Sequence, residues 1–432
     1  YEIVFGDWSS DVCFSDLGLT KRPNTTHNQI LGLETKPFVY FIDRDGSEKY
    51  MVIIGGTQIE PVIVYSLIDG TKKTVRYGHF EGDVFVDSGF VGGYLNAENP
   101  AEAFRAVTIA DHTFLVNRTV PVSLMEQVPE VPPNRAMVWF KRVNPGAWFE
   151  VVLDGTPIRV LASADSTSPD YSLELADTFH TNINGTAGFK STSFGSVLVV
   201  EKTDGSAFTI STADGVGNEG IVLVTNTASG IDDLPPRTLD GYKVRVNGNT
   251  EKLTDDFFMR YSQDAYGKGR WKECDGWDGS MEFDASTMPH KIVRLPDGDF
   301  GVSPIEWTAR MVGDNESHPA PSFVGAGIQN VFFHRNRLGL LTKHNAILSK
   351  TGSYYNFFRR SMLDLLDDDP IDLGSISKRV VDFHSTATHN KKLMAIGTQE
   401  QLFLDSGNAP FTAKTRSEEQ TSELQSPNTI SY

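Results

Sequence analysis

The feature that most constrains the fold of this chain is a recurring pattern of two β-branched or aromatic runs that flank a turn sequence. Such turns stand at Asp45-Gly46, Asp69-Gly70, Asn144 to Gly146, Asp204-Gly205 and Asp297-Gly298. Asp-Gly supplies the positive φ angles that tight hairpin turns require. The pattern predicts five hairpins, and therefore a mainly β protein with several antiparallel β domains rather than a parallel α/β sheet.

Helices are predicted to be few. The segment from Pro100 to Arg105 has a proline and acidic residues near its start, as is typical of a helix N-terminus. The segment from Pro169 to Asn182 is the second helical candidate.

The last part of the chain contains a repeated pattern. RLGLLTKHNAILS (337–349) and KLMAIGTQEQLFL (392–404) each run from an apolar strand through a polar turn into a second apolar strand. A period of roughly fifty residues made of hairpins is typical of β-propeller blades. The sequence thus predicts that the β domains are followed by the start of a β-propeller-like domain.

The formal net charge is −17. An acidic chain repels phosphate at long range, which disfavours a protein that coats nucleic acid but allows a conduit through which DNA slides. The chain has two cysteines, Cys13 and Cys274, too few for a disulfide framework. No apolar run reaches the length needed to cross a bilayer, so no membrane segment is predicted.

Both ends of the chain resemble translated sequencing adapter. The resemblance is carried by DWSSDVCFSDL (7–17) and by RSEEQTSELQS (416–426). We therefore expect residues 1–17 and 416–432 to be artefactual, and residues 18–415 to be an internal fragment of a longer gene product.

The expected domains follow the composition of the linkers. Proline-rich or acidic breaks lie at Val128 to Pro133, at Ile231 to Arg237 and at Glu316 to Ser322. They predict an N-terminal β domain (18–130), a β domain with a short helix (131–236), a β-hairpin domain (237–322) and the truncated first blades of the propeller-like domain (323–415).

A long series of motifs carries a family resemblance. DASTMPH, PSFVG, VFFHRNRLGLL, SYYNFF and DDDPIDL follow one another after Trp271, and FRAVTIADHTFLVNRTVPV lies earlier in the chain. In this order they resemble the tail tubular protein B family, the nozzle proteins of short-tailed phages of the T7 type. The departures from the family pattern are minor, namely Asn24 and Cys274.

The resemblance implies a structural virion protein of the phage tail and not an enzyme. Members of this family form a ring of six copies that continues the DNA channel below the portal. The implied partners are other copies of the chain, the tail adaptor protein, the tail fibres and phage DNA, which passes without sequence specificity during genome ejection. No cofactor and no catalytic residue are implied.

Two arginines and three aromatic residues are the candidates for the subunit interface or the channel. Strand alternation predicts that Arg335 and Arg337 lie on one face, where they can meet DNA or clamp an acidic strand of a neighbouring subunit. The other interpretation, which we favour, is a structural role such as an internal ion pair with Asp367 to Asp369. The aromatic anchors expected at the interface are Phe332, Tyr354 and Phe357.

The sequence DLLDDDPIDL raises the question of a metal site. Several oxygen donors in a few residues can bind Ca²⁺, and the candidate ligands are Asp367, Asp369 and Asp372. The spacing is not that of an EF-hand loop. A solvated acidic turn is the favoured interpretation, because clustered like charges are more often solvated than ligated.

An alternative function is a tail component that binds or hydrolyses capsule polysaccharide. Aromatic residues that stack on sugars and carboxylates that catalyse would then line a groove. A role of these residues in the core and in glycine-rich turns is favoured instead. The residues in question are Trp271, Trp277, Asp275, Asp278 and Asp284.

Overall fold

The computed structural model describes residues 2–5, 26–30, 36–55, 60–89, 93–164, 170–248, 255–374, 382–389, 392–398, 401–404 and 412. In these residues it contains thirty β-strands, two α-helices and two single-turn 3₁₀ helices. The fold is mainly β and is built of several antiparallel sheets, as predicted.

In chain order, the first fifteen strands are β1 (Glu2–Phe5), β2 (Thr26–Ile30), β3 (Phe38–Asp43), β4 (Lys49–Ile54), β5 (Val62–Ser66), β6 (Lys72–Lys73), β7 (Val75–Glu81), β8 (Val84–Asp87), β9 (Phe104–Ile109), β10 (His112–Asn117), β11 (Arg135–Phe140), β12 (Trp148–Leu153), β13 (Thr156–Leu161), β14 (Phe189–Ser193) and β15 (Val197–Lys202). The others are β16 (Ile210–Asp214), β17 (Ile221–Val224), β18 (Thr227–Ala228), β19 (Lys243–Val246), β20 (Phe257–Gln263), β21 (Gly269–Cys274), β22 (His290–Arg294), β23 (Phe300–Pro304), β24 (Asn330–His334), β25 (Arg337–Leu341), β26 (Asn345–Leu348), β27 (Ile371–Gly374), β28 (Phe383–His389), β29 (Lys392–Gly397) and β30 (Gln401–Leu404). The helices are α1 (Pro100–Ala103) and α2 (Tyr171–Asn184), and the 3₁₀ turns are Gly93–Leu95 and Ile231–Asp233.

Three of the five predicted hairpins are confirmed. The turns at Asp45-Gly46, Asp69-Gly70 and Asp297-Gly298 join β3 to β4, β5 to β6 and β22 to β23, and each pair is antiparallel. In the first turn the Asp45 carboxylate accepts hydrogen bonds from the backbone N–H groups of Ser47 and Glu48. Side-chain capping of this kind is the reason that Asp is favoured in turns.

The other two predicted hairpins are wrong. Around Asn144 to Gly146 the chain passes from β11 to β12, but β11 pairs with β15 and β17, and β12 pairs with β13 and β16. The turn at Asp204-Gly205 likewise leads from β15 to β16 in the other sheet. Phe140 of β11 and Phe149 of β12 lie in one core. The chain crosses between two facing layers at these points, because both strands bury their apolar faces against each other's sheet.

Both predicted helices are confirmed, although α1 is a single turn that ends where β9 begins. The Asp170 side chain caps α2 by accepting from the N–H groups of Ser172 and Leu173. The apolar side of α2 packs on the core between the two layers, and its Phe179 ring stacks on Phe140 with the centroids 5.0 Å apart.

A six-stranded mixed sheet has the order β8-β7-β23-β22-β10-β9. β7 and β23 run parallel, whereas the other neighbours are antiparallel. The sheet combines strands from residues 18–130 with strands from residues 237–322, and it packs on β3–β5 through residues such as Phe104 and Phe300. The proposed division into domains stays a prediction.

The sheet β14-β15-β11-β17 is covered on both faces. One face packs on α2 and on β12, while the opposite face packs on the sheet β18-β19-β20-β21 through Met137, Val199, Val244 and Tyr261. Because both faces are apolar, the strands β11 and β15 are almost fully buried.

The last described sheets contain the predicted repeat. β25–β26 and β29–β30 are antiparallel pairs, and β24-β25-β26-β27 form a four-stranded meander. Gly339 lies opposite Phe332, where a Cβ atom would stand 2.1 Å from the aromatic ring. A four-stranded meander is the topology of one propeller blade, and the propeller-like domain stays a prediction.

The N-terminal flank contributes a strand to the described residues. β1 lies within residues 1–17 and pairs antiparallel with β2. The interpretation of both flanks as translated adapter stays a prediction. Neither described helix has the length and apolar character that crossing a membrane requires.

Candidate subunit-interface and channel site

The β24–β25 hairpin places the two candidate arginines differently. Arg335 and Asn336 form its turn with φ angles of 46° and 60°, as in a type I′ turn. Arg335 is exposed, whereas Arg337 is the first residue of β25 and is buried. The expectation that the two arginines share one strand face is therefore wrong, because a chain reversal separates them.

Arg337 is a clamp inside the chain. Its side chain donates hydrogen bonds to the carbonyl oxygens of Ser349 at 2.8 Å, Asp369 at 2.6 Å and Asp367 at 2.9 Å. The planar guanidinium group presents several donors in a fixed geometry, which suits a set of converging carbonyls. The role is structural, as favoured from the sequence, but the acceptors are backbone carbonyls rather than the carboxylates of an ion pair.

The aromatic candidates divide into buried and accessible residues. Phe332 and Phe357 are buried in the hydrophobic cores of the chain. The Tyr354 hydroxyl donates to the Asn336 side chain at 2.7 Å, and its ring packs edge-on against Phe333 with the centroids 5.6 Å apart. Phe333 is 38% exposed and was missed, although strand alternation in VFFH requires that one of the two phenylalanines face away from the core. The interface role of all these residues stays a prediction.

The carboxylates of the DDDPIDL segment have partners within the protein. Asp369 is fully buried and accepts from the Leu366 N–H at 2.9 Å. Asp372 accepts from the Ser322 hydroxyl at 2.7 Å and from the Asn345 amide at 3.0 Å, while Asp367 contributes its carbonyl to Arg337. Within the part of the chain that the structure describes, no three His, Cys, Asp or Glu side chains converge as metal ligands do.

The residues of the polysaccharide alternative also make internal contacts. The Trp271 ring nitrogen donates to the Pro235 carbonyl at 2.7 Å. Asp278 receives two hydrogen bonds from the buried Arg310, at 2.9 and 3.0 Å. Asp275 lies 3.3 Å from Arg260, and Asp284 accepts from the backbone and hydroxyl of its own turn. These partners favour the structural interpretation of the group.

A buried lysine joins the segment before β11 to the sheet of β19. The Lys243 ammonium donates to the Glu130 carboxylate at 2.8 Å and to the Gly276 carbonyl at 2.7 Å, and it lies over the Trp277 ring. The hydrogen bond from Lys243 lowers the pKa of Glu130. Opposite the same segment, a Cβ atom at Gly279 would stand 2.4 Å from the Val128 carbonyl, so only glycine permits this approach.

Two buried histidines make the fold sensitive to acid. Burial lowers the pKa of His290 and of His318 to about 4 in each case. His318 lies between the Val312 carbonyl at 2.9 Å and the Arg359 N–H at 3.1 Å, so the neutral ring donates from Nδ1 and accepts at Nε2. Between pH 6.5 and about 4 the unfolded chain binds more protons than the folded one, so stability is complete above this window and is lost as the pH falls through it.

Comparison with known proteins gives the family of this chain. The model of the family described as bacteriophage nozzle protein matches residues 8–431, a range that runs into both flanks. The tail tubular protein gp12 of Escherichia phage T7 is 31% identical over 424 residues, which cover 94% of this chain and 50% of that protein. The chain thus spans about half the length of this curated relative. These matches place the protein in the tail of a phage virion, and the chain belongs to the bacteriophage nozzle protein family.

Proposed function

We propose that the chain is part of a nozzle subunit that assembles into a ring of six copies, continues the DNA channel of the tail and offers a surface to which tail fibres dock. The observation that carries this proposal is the family match over residues 8–431, together with the identity to a tail tubular protein. The tail adaptor protein is the proposed partner on the side of the capsid.

The tip of the β24–β25 hairpin has the residue types that a subunit contact in a ring needs. A ring needs a heterologous contact, in which two different patches of the same chain meet and the rotation closes at a fixed number of copies. The tip of the β24–β25 hairpin presents Arg335 next to the Phe333–Tyr354 aromatic pair. Aromatic residues and arginine are the types that contribute most to protein interfaces, so this tip is the proposed subunit contact.

The charge of the chain is consistent with DNA passage. A wall with an acidic average repels phosphate, so DNA can slide along it without being trapped. This repulsion comes from the net charge of the whole chain, so a local patch of positive charge can still contact DNA.

Ring formation is tested on the purified chain by size-exclusion chromatography with light scattering and by negative-stain electron microscopy. We expect annular particles with six times the 47.7 kDa mass of one copy. Arg335→Glu should reduce the particles to single copies, whereas Arg142→Glu, which changes an exposed arginine in the β11–β12 connection, should leave them intact. Single copies at every accessible concentration would contradict ring formation by this chain.

A further inference from the structure

The hairpin of β20 and β21 carries a row of cations. Lys243, Arg260 and Lys272 lie directly opposite one another across β19, β20 and β21, and Arg270 lies opposite Ser262. Residues directly opposite in an antiparallel pair project from the same face of the sheet. This face of an acidic protein is therefore basic.

The two ends of the row differ in their counter-charges. At the inner end, Lys243 pairs with Glu130, and Arg260 lies 3.3 Å from Asp275. At the outer end are the exposed side chains of Lys268, Arg270 and Lys272, which we call the outer cations. Among the described residues, the outer cations have no carboxylate within ion-pair distance, and the Lys272 ammonium has a long contact of 3.4 Å with the Ser262 hydroxyl.

Internal ion pairs balance only the inner end of this row. Like charges directly opposite each other in a sheet are destabilising, and in this hairpin Arg260 faces Lys272. The carboxylates beside the hairpin tip accept from the backbone: one oxygen of Asp264 accepts from the N–H groups of Tyr266 and Lys268, both at 2.9 Å, and Asp240 accepts from the Gln263 N–H at 2.8 Å. Arg260 is neutralised by Asp275 at 3.3 Å, whereas the outer cations have no ion-pair partner among the described residues, so an anionic ligand can meet them.

The hairpin is held rigidly from its other face. Tyr261 is fully buried there, and Trp271 packs edge-on against it with the centroids 5.4 Å apart. A Cβ atom at Gly269 would lie 2.2 Å from the Tyr261 ring, so the glycine lets the two strands and the ring close up. The outer cations thus project from a fixed backbone, which reduces the entropy lost on binding.

The surroundings of the outer cations resemble a phosphate-contacting surface more than a protein interface. They border an open cleft of about 400 Å³ that Ser262, Gln263 and Asp264 also line, so three cations face one carboxylate there, and Tyr266 at the tip is 90% exposed. Lys, Arg, Ser, Gln and Tyr side chains are the groups that contact the DNA backbone. The cores of protein interfaces are instead depleted of lysine, and this cleft has no exposed aliphatic side chain among its lining residues.

We propose that the outer cations bind the phosphate backbone of double-stranded DNA without sequence specificity. This proposal rests on the proposed nozzle function, since it makes the β20–β21 hairpin the part of the subunit that touches the passing genome. Three cations per copy give a weak contact that salt screens, while the acidic remainder of the chain opposes adhesion. The hairpin would guide the DNA without holding it.

The test is fluorescence anisotropy of a short labelled DNA duplex of random sequence with the purified chain, over salt concentrations of about 50 to 200 mM. If three phosphates are contacted per copy, the logarithm of the binding constant should fall with the logarithm of the salt concentration with a slope of about −3. Arg270→Ala should weaken binding at every sequence and reduce that slope by about 1. Lys190→Ala is the matched control, since it removes one exposed positive charge from β14.

Three results would overturn the proposal. The first is that the unmodified chain does not bind DNA at about 50 mM salt. The second is that Lys190→Ala weakens binding as much as Arg270→Ala. The third is that Arg270→Ala leaves DNA binding unchanged but alters the particle mass, which would make an acidic face of a second copy the partner of the outer cations. Particle mass by light scattering separates this proposal from the nozzle function. Rings that do not bind DNA contradict the proposal alone, and single copies that bind DNA through Arg270 contradict only the ring. Circular dichroism confirms that each variant is folded.

Discussion

Replacing Arg337 by alanine should destabilise the sheet β24–β27 strongly. The Arg337 side chain is 2% exposed, and its guanidinium group joins the carbonyl after β26 to the loop before β27. The variant removes the donors and leaves carbonyl oxygens in the interior without partners. Arg335→Ala is the matched control, because it removes an arginine from the same hairpin at an exposed position.

The magnitude follows from the contacts. A hydrogen bond to a charged group contributes about 1.5–3 kcal/mol, and such contributions are not additive when one side chain makes them all. A buried carbonyl that loses its donor costs about 1–3 kcal/mol, and for the three carbonyls that share this guanidinium group we expect a loss of about 3–5 kcal/mol in Arg337→Ala. Arg337→Lys keeps the charge but not the planar fork, so it should lose roughly half as much. Arg335→Ala should change stability by less than about 1 kcal/mol.

The assay is hydrogen–deuterium exchange of the amides in residues 337–374, read by mass spectrometry. It reports the local opening free energy of this sheet without requiring that the whole chain unfold in one step. The expected loss corresponds to a fall in protection of roughly 10²- to 10⁴-fold in Arg337→Ala, with protection in Arg335→Ala close to that of the unmodified protein. Equal protection in the two variants would refute the role of Arg337 as the clamp of this sheet.

Three further outcomes are expected. Lowering the pH from 7 to 4 should reduce the melting temperature, with up to about 3 kcal/mol of stability lost for each of His290 and His318. In a His318→Gln variant the melting temperature should depend less on pH, and an unchanged dependence would contradict the argument from burial. Asp214→Ala should cost about 2–4 kcal/mol in thermal unfolding, since the carboxylate accepts four backbone N–H bonds, whereas the exposed turn residue Asp204→Ala should cost less than about 1 kcal/mol. Lys243→Ala should cost about 2–3 kcal/mol, a value reduced because its partner Glu130 is half exposed; a loss below about 0.5 kcal/mol would contradict the junction assigned to it.

The hairpins show how far local pattern predicts pairing. A turn at Asp297-Gly298 and alternation on both sides predict the β22–β23 pair correctly. The same signals at Asp204-Gly205 predict a pair that does not form, because β15 continues into the other layer. A turn sequence encodes a chain reversal, and the partner of each strand depends on which apolar faces meet.

In the candidate site, too, the sequence predicts some features and the packing decides others. The composition of HRNRLG marks the arginines as important, and the structural role favoured for Arg337 agrees with its burial. The sequence does not reveal that Arg335 belongs to the turn, since positive φ angles at Arg335 and Asn336 lack the usual glycine. The outer cations were likewise missed, although the alternation of Arg270 and Lys272 around Trp271 was the available signal.

The sequence by itself determined the mainly β class, the two helices, the confirmed hairpins and the family, because these depend on local alternation, capping and turn residues and on the order of motifs. Only the tertiary structure decided that β7 pairs with β23, that β11 and β12 lie in facing layers, and that three cations align across β19, β20 and β21. The physical reason is that strand pairing and register between distant segments are selected by the burial of whole apolar faces, a property of the assembled core that no short stretch of residues contains.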